Sequence, residues 1–206
     1  MLHLKDTEPL AKGNNRLVFQ HPDHHELLIK VVSEAFMTRR FGPHAKWYKK
    51  RRRARQYLSY LREVEEYLVQ RAHNETSAQY FQIIHGFAET DHGLGIVTTA
   101  VRGPDGALAP PLAKLIASGC FNKNLQSDLE TILTHILESH LIISDLNLGN
   151  LVHNGEHFVL IDGVGNNNPI PFKVISPWLN RRSKLGRFER LRKRIDRYKR
   201  DHQIQD

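Results

Sequence analysis

Between His140 and Gly165 the chain sets Asp145 and Asn150 five residues apart, then ends an apolar run on Asp162-Gly163. A helical pattern precedes this loop, and two short strands, near 150–153 and 157–161, follow it. The polar loop is therefore pinned between a helix end and a hairpin. Phosphoryl transfer needs such parts: one carboxylate to orient or deprotonate the acceptor hydroxyl, and oxygen ligands to hold Mg²⁺ against phosphates. An aspartate at the tip of an apolar strand is rigidly placed, and the glycine after it permits close backbone approach. Asp145, Asn150 and Asp162 are read as an acceptor-and-metal cluster. Asp145, Asn147, Gly149 and Glu156 also mimic an EF-hand loop. That alternative fails because Asn150 stands where glycine is required and an apolar strand replaces the second helix.

Upstream, the periodicity is mostly that of strands. Residues 3–10 read as a first strand, and Leu10 to Phe19 as a tight turn at Gly13 into a second. From Glu26 to Val32, Leu27, Ile29 and Val31 share one face; Leu28, Lys30 and Val32 share the other. Sharing a face with two apolar residues points Lys30 to a cleft. Tyr57 to Ala72 has helical spacing, with Tyr57, Leu61, Val64 and Leu68 on the side expected to be buried. Tyr80 to Phe87 and Leu94 to Val101 read as strands about an Asp91-His92-Gly93 turn. Gly103-Pro104-Asp105-Gly106 breaks the chain into an expected N-lobe, 1–102, and C-lobe, 103–206, with helices at 111–118 and 126–140. Strands with one helix, then helices and a hairpin, give an α+β class.

Charge is unevenly spread. The 206 residues carry +8, yet 39–55 and 181–200 each carry +9, leaving −10 on the rest. Such clustering predicts an anionic partner: a small molecule, a glycan, a lipid surface or nucleic acid. Nucleic acid is the weaker reading, because no recognised motif is present and only Trp47 and Tyr48 interleave with the basic runs. From Leu185, the residues Leu185, Phe188, Leu191, Ile195 and Tyr198 recur at helical spacing. This stripe either packs on its own domain or lies on an anionic membrane. Cys120 stands alone, which excludes an internal disulfide and fits a reducing compartment. With no leader-like start and no apolar run of about 20 residues, the expectation is a soluble cytoplasmic protein with no transmembrane segment. Peripheral attachment at the inner face of the membrane stays open. The histidines at 21, 24 and 25 lack any H-E-x-x-H or cysteine pairing, and read as surface residues.

Asp145-Leu-x-x-x-Asn150 resembles the kinase catalytic loop, and Asp162-Gly163 its metal-binding Asp-Phe-Gly with the phenylalanine missing. Lys30, in Leu-Ile-Lys-Val, resembles the strand lysine that grips the α/β-phosphates. The resemblance implies a protein-kinase-like bilobal fold with a truncated C-lobe, using ATP and Mg²⁺. Glu63 would then orient Lys30, and the Gly13 turn would cover the phosphates. Thr99, Ala100 and Val101 would hold the adenine through backbone groups. Asp145 would orient the acceptor hydroxyl, while Asn150 and Asp162 would hold the metal.

More narrowly, the chain resembles the small bacterial YrbL-like family of the PhoP regulatory network, from about residue 8 to 195. The matches are Leu10-Ala-Lys-Gly13, Ile29-Lys30-Val31, Arg62-Glu63, Glu89-Thr-Asp91-x-Gly93-x-Gly95, Asn150-Leu-Val, and Asp162-Gly-Val-Gly165 followed by Ile170-Pro171. Departures from protein kinases narrow the substrate. Ile143-Ser144 replaces His-Arg before the catalytic aspartate, Asn147 replaces a lysine, and only 44 residues follow Asp162. A peptide-docking subdomain hardly fits in that length. The expected acceptor is a sugar, a lipid-linked glycan or another small molecule. The rival reading is a kinase-like regulator that binds nucleotide or a partner with little catalysis, favoured by Asn147 and the single glycine of the phosphate turn.

Overall fold

A computed structural model describes residues 1–43, 47, 55–73, 76–166 and 172–201. Most of the basic run at 39–55, and residues 170–171 of the family-like pattern, lie outside the described residues. Two compact units divide the chain: Met1–Val64 with Ile83–Ala100, and Glu65–Gln82 with Val101–Asp206. The fold is α+β, as the order of elements predicts.

The first unit is an antiparallel sheet. Its strands are β1 (Ala11–Lys12), β2 (Arg16–Gln20), β3 (Leu27–Val32), β4 (Ile84–Thr90) and β5 (Gly93–Thr99). They lie in the order β1-β2-β3-β5-β4. Alternation along β3 sends Ile29 and Val31 into a core with Leu4 and Phe19. Helix α1 (Glu34–Phe41) follows at once, its first turn closed by Ser33 Oγ accepting from the Phe36 amide. Residues 3–10 do not form the expected strand; Leu2 alone makes a bridge, to Thr90. The Asp91 carboxylate accepts from the Leu4 and Lys5 amides, so a side chain satisfies donors that a strand partner would otherwise take.

Helix α2 (Leu58–Ala72) begins in the first unit and ends in the second. Half of the stripe expected to be buried faces solvent instead: Leu61 and Leu68 are 53% and 59% exposed, while Tyr57 and Val64 are half-buried. Buried in its place are Tyr60, Glu63, Glu66 and Gln70. Hydrophobic spacing misreads this helix because its inner face carries carboxylates matched to specific donors. Both terminal nitrogens of Arg16 donate to the two oxygens of Glu63, and the Arg16 guanidinium lies 4.9 Å from the centre of the Tyr60 ring. Removing one partner strands a buried charge. Glu63→Gln is therefore expected to cost about 3 kcal/mol, read as a lower midpoint in thermal or denaturant unfolding. An unchanged midpoint would show the pair to be dispensable.

The second unit is mainly helical. It contains α3 (Leu112–Ala117), α4 (Lys123–Glu138), the hairpin β6 (Leu151–His153) and β7 (Phe158–Leu160), α5 (Phe172–Ile175) and α6 (Pro177–Asp201). Leu129, Ile132, Leu133 and Ile136 of α4 join Phe188, Leu191 and Ile195 of α6 in one core. This decides the fate of the tail's apolar stripe. Phe188, Leu191 and Ile195 are consumed by the protein's own core, at about 1.5–3 kcal/mol each, while Leu185 stays exposed. The stripe is thus unavailable to a membrane, although the basic faces of the helix remain outside.

Lys184 departs from that basic surface. It is buried, and its Nζ donates to the Ser139 carbonyl at 2.6 Å. A cation there meets the negative end of the α4 dipole. Asn180 Nδ2 donates to the carbonyls of His140 and Leu141. Through these contacts α6 fixes the stretch that leads to Asp145.

Candidate functional site

The loop around Asp145 is built by backbone pairing with the segment after Asp162. Ile143 bridges Val164, the Gly165 amide donates to Ile142, and the Ser144 and Asp145 amides both donate to the Gly163 carbonyl. Ser144 Oγ donates to the same carbonyl at 3.0 Å. Glu66 enters from α2: its Oε2 accepts from the Ile142 amide at 2.7 Å. Sequence spacing gave no sign of this role, because the partner is 76 residues away and is a backbone group.

Within the loop, Asn147 is the organiser. Its Nδ2 donates to Asp145 Oδ2 at 2.8 Å, and its Oδ1 accepts from the Gly149 and Asn150 amides. A lysine at this position could not accept these two bonds. Asn150 Nδ2 donates to the Asp145 carbonyl at 3.2 Å, which leaves Asn150 Oδ1 without a partner among the described residues. Asp162 uses Oδ1 to accept from the Gly163 amide; its second oxygen has no partner among the described residues. Asp145, Asn150 and Asp162 thus share one constellation in the second unit, with Asn150 tied to the Asp145 backbone.

The remaining expected site residues begin with Lys30, in the centre of β3, opposite Val18 and Ile96 and only 5% exposed. It is not a solvent-facing strand lysine. Glu63 requires a correction: the carboxylate expected to orient Lys30 is taken by Arg16, which β2 carries 47 residues away. Gly13 donates its amide to the Arg16 carbonyl and does not adopt a positive φ. A Cβ there would meet only that carbonyl, at 3.5 Å. The turn itself does not demand glycine. Of the expected adenine-binding backbone, Thr99 and Ala100 already donate their amides, to Ile83 and Glu26. The Val101 amide has no partner among the described residues.

In a comparison of folds, this chain is similar to the Legionella pneumophila Lpg2603 kinase, solved bound to IP6. The TM-score is 0.52 at 16% identity, and the match covers 91% of this chain. The chain spans 61% of the length of that kinase. The antiparallel sheet and the helical unit with its hairpin therefore make a kinase-like fold. No curated protein matches the sequence. The family model described as PhoP regulatory network protein YrbL matches residues 2–196. With nearly its whole length so matched, and with the loop geometry that the family-like motifs anticipate, the chain belongs to the PhoP regulatory network protein YrbL family.

Proposed function

We propose that this chain binds ATP with Mg²⁺ and transfers the terminal phosphoryl group to an alcohol on a non-protein acceptor. The observation that supports this reading is a pair of oxygens without partners among the described residues. Asn150 spends its amide nitrogen on the Asp145 carbonyl and Asp162 spends one oxygen on the Gly163 amide, so that Asn150 Oδ1 and the second Asp162 oxygen have no partner among the described residues. Such a pair suits a hard cation that takes its other ligands from phosphate and water. The cation would neutralise phosphate charge.

Lys30 would fix the phosphates, and the Val101 amide, which has no partner among the described residues, would donate to a base. Asp145 would orient the acceptor hydroxyl and accept its proton as the acceptor oxygen bonds to the terminal phosphorus and ADP leaves. The neighbouring kinase fold was solved with IP6, an anionic small molecule. An anionic acceptor agrees with the exposed Arg190 and Arg194 of α6. Among the described residues no helix is long and apolar enough to cross a membrane.

A second reading has its own observation. Asp145 Oδ2 is occupied by Asn147, and Oδ1 lies 3.8 Å from Arg194. A carboxylate so engaged suits a nucleotide-binding regulator with slow turnover. Thermal unfolding with ATP, with and without Mg²⁺, tests both. At a hundredfold excess over Kd, stabilisation of about 2.7 kcal/mol is expected, larger with Mg²⁺. No shift at millimolar MgATP sinks both readings; a shift without ADP release favours the regulator.

A further inference from the structure

Three arginines of α6, Arg187, Arg190 and Arg194, stand on one side of the helix beside the Asp145 loop. At about 100° per residue they fall within about 60° of one another and span about 10 Å. They flank the Phe188, Leu191 and Ile195 stripe that anchors α6 in the core, so the platform is rigid. Arg194 donates to the Leu146 carbonyl at 3.3 Å and lies 3.8 Å from Asp145 Oδ1. Arg190 Nε donates to the Gly186 carbonyl. Arg187 Nε is shut away from solvent with no hydrogen-bond partner among the described residues. Burial pushes the Arg187 guanidinium below arginine's ordinary range; the Arg190 charge adds to this and Asp145 opposes it. Glu189 and Asp196, the acids of this helix segment, fall about 160–180° away from Arg187 by the same periodicity.

The local balance is three cations against Asp145. The excess matches a phosphate monoester, which carries about −1.5 to −2 at neutral pH. The arginine fork fits phosphate oxygens in pairs. We propose that Arg187, Arg190 and Arg194 seat a phosphate carried by the acceptor, so the substrate is a phosphorylated alcohol whose free hydroxyl faces Asp145. This rests on the reading of Asp145 as the acceptor's carboxylate. A neutral sugar leaves the three arginines unanswered; a phosphate also draws Arg194 away from Asp145.

The test is thermal unfolding and calorimetric titration of the full chain with inorganic phosphate, against chloride at matched ionic strength. Wild type is expected to bind saturably, and Arg187→Gln with Arg194→Gln to weaken binding at least tenfold. Arg181→Gln with Arg200→Gln removes equal charge elsewhere and should leave affinity within twofold. Arg187→Lys, which keeps the charge but loses the fork, should fall between. Glucose 6-phosphate should compete where glucose does not. If vesicles containing phosphatidic acid compete instead, and the cluster variant loses that binding, the phosphate belongs to a lipid headgroup. Absence of saturable phosphate binding, or equal binding by the cluster variant, overturns the proposal. MgATP protection, measured separately in both proteins, reports on the kinase reading alone: its loss in wild type with phosphate binding intact condemns that reading and not the seat.

Discussion

Asp145→Asn is expected to cut phosphoryl transfer by about a thousandfold while leaving MgATP binding intact. Asp162→Asn is expected to do the reverse at the binding step, removing the advantage that Mg²⁺ gives to ATP. The contrast follows from what each carboxylate touches. Asp145 takes a hydrogen bond from Asn147 and has Arg194 at a distance, and an amide oxygen preserves the first. The Arg194 pair is half-exposed on both sides, so its loss affects stability little. At position 162, an asparagine oxygen can still accept from the Gly163 amide; what disappears is the negative charge offered to a cation. Both variants should therefore unfold near the wild-type midpoint. Nucleotide titrations with and without Mg²⁺, alongside ADP release, separate the two. Equal loss of MgATP binding in both variants would overturn the assignment of roles.

Gly163→Ala should be far more damaging to the fold than either carboxylate change. Gly163 has φ +90°, and an added Cβ would sit 1.9 Å from the Asp145 carbonyl oxygen and 2.9 Å from Asn150 Nδ2. The backbone cannot move aside, because the Gly163 carbonyl holds the Ser144 and Asp145 amides. Strain at a positive φ costs about 1–3 kcal/mol, and forcing an atom into a packed site about 1–3 more. A total of up to about 6 kcal/mol should lower the midpoint by up to roughly 12–24 °C at this chain length. MgATP protection should fall with it, since Asn150 and Asp162 are both displaced. A variant that melts like wild type would mean that the loop accommodates a side chain by a rearrangement not visible in its hydrogen bonds.

Much of the fold was legible because local pattern and tertiary demand agree. β3 alternates cleanly since one of its faces fills the Leu4, Phe19, Ile29 and Val31 core. The α4 helix and the β6–β7 hairpin follow their apolar spacing since both feed one core. The tail's stripe at Phe188, Leu191 and Ile195 was visible too, although its destination was not. Apolar spacing says that a face must be covered, and a neighbouring helix covers it as well as a lipid surface would.

The order and spacing of Asp145, Asn150 and Asp162-Gly163, read along the chain, pointed to the kinase-like fold, and the wider set of motifs from Leu10 to Gly165 pointed to the family. Tertiary structure alone decided which polar groups are paired. It assigned Glu63 to Arg16, gave Glu66 the Ile142 amide, tied the N-terminal amides to Asp91, and made Asn147 the knot of its loop. It also turned Leu61 and Leu68 to solvent, half of the α2 stripe that hydrophobicity favours. The physical reason is that burial of apolar area is non-directional and leaves a periodic trace in sequence. A buried carboxylate instead depends on one donor at about 3 Å, and the chain can supply that donor from any distance along its length.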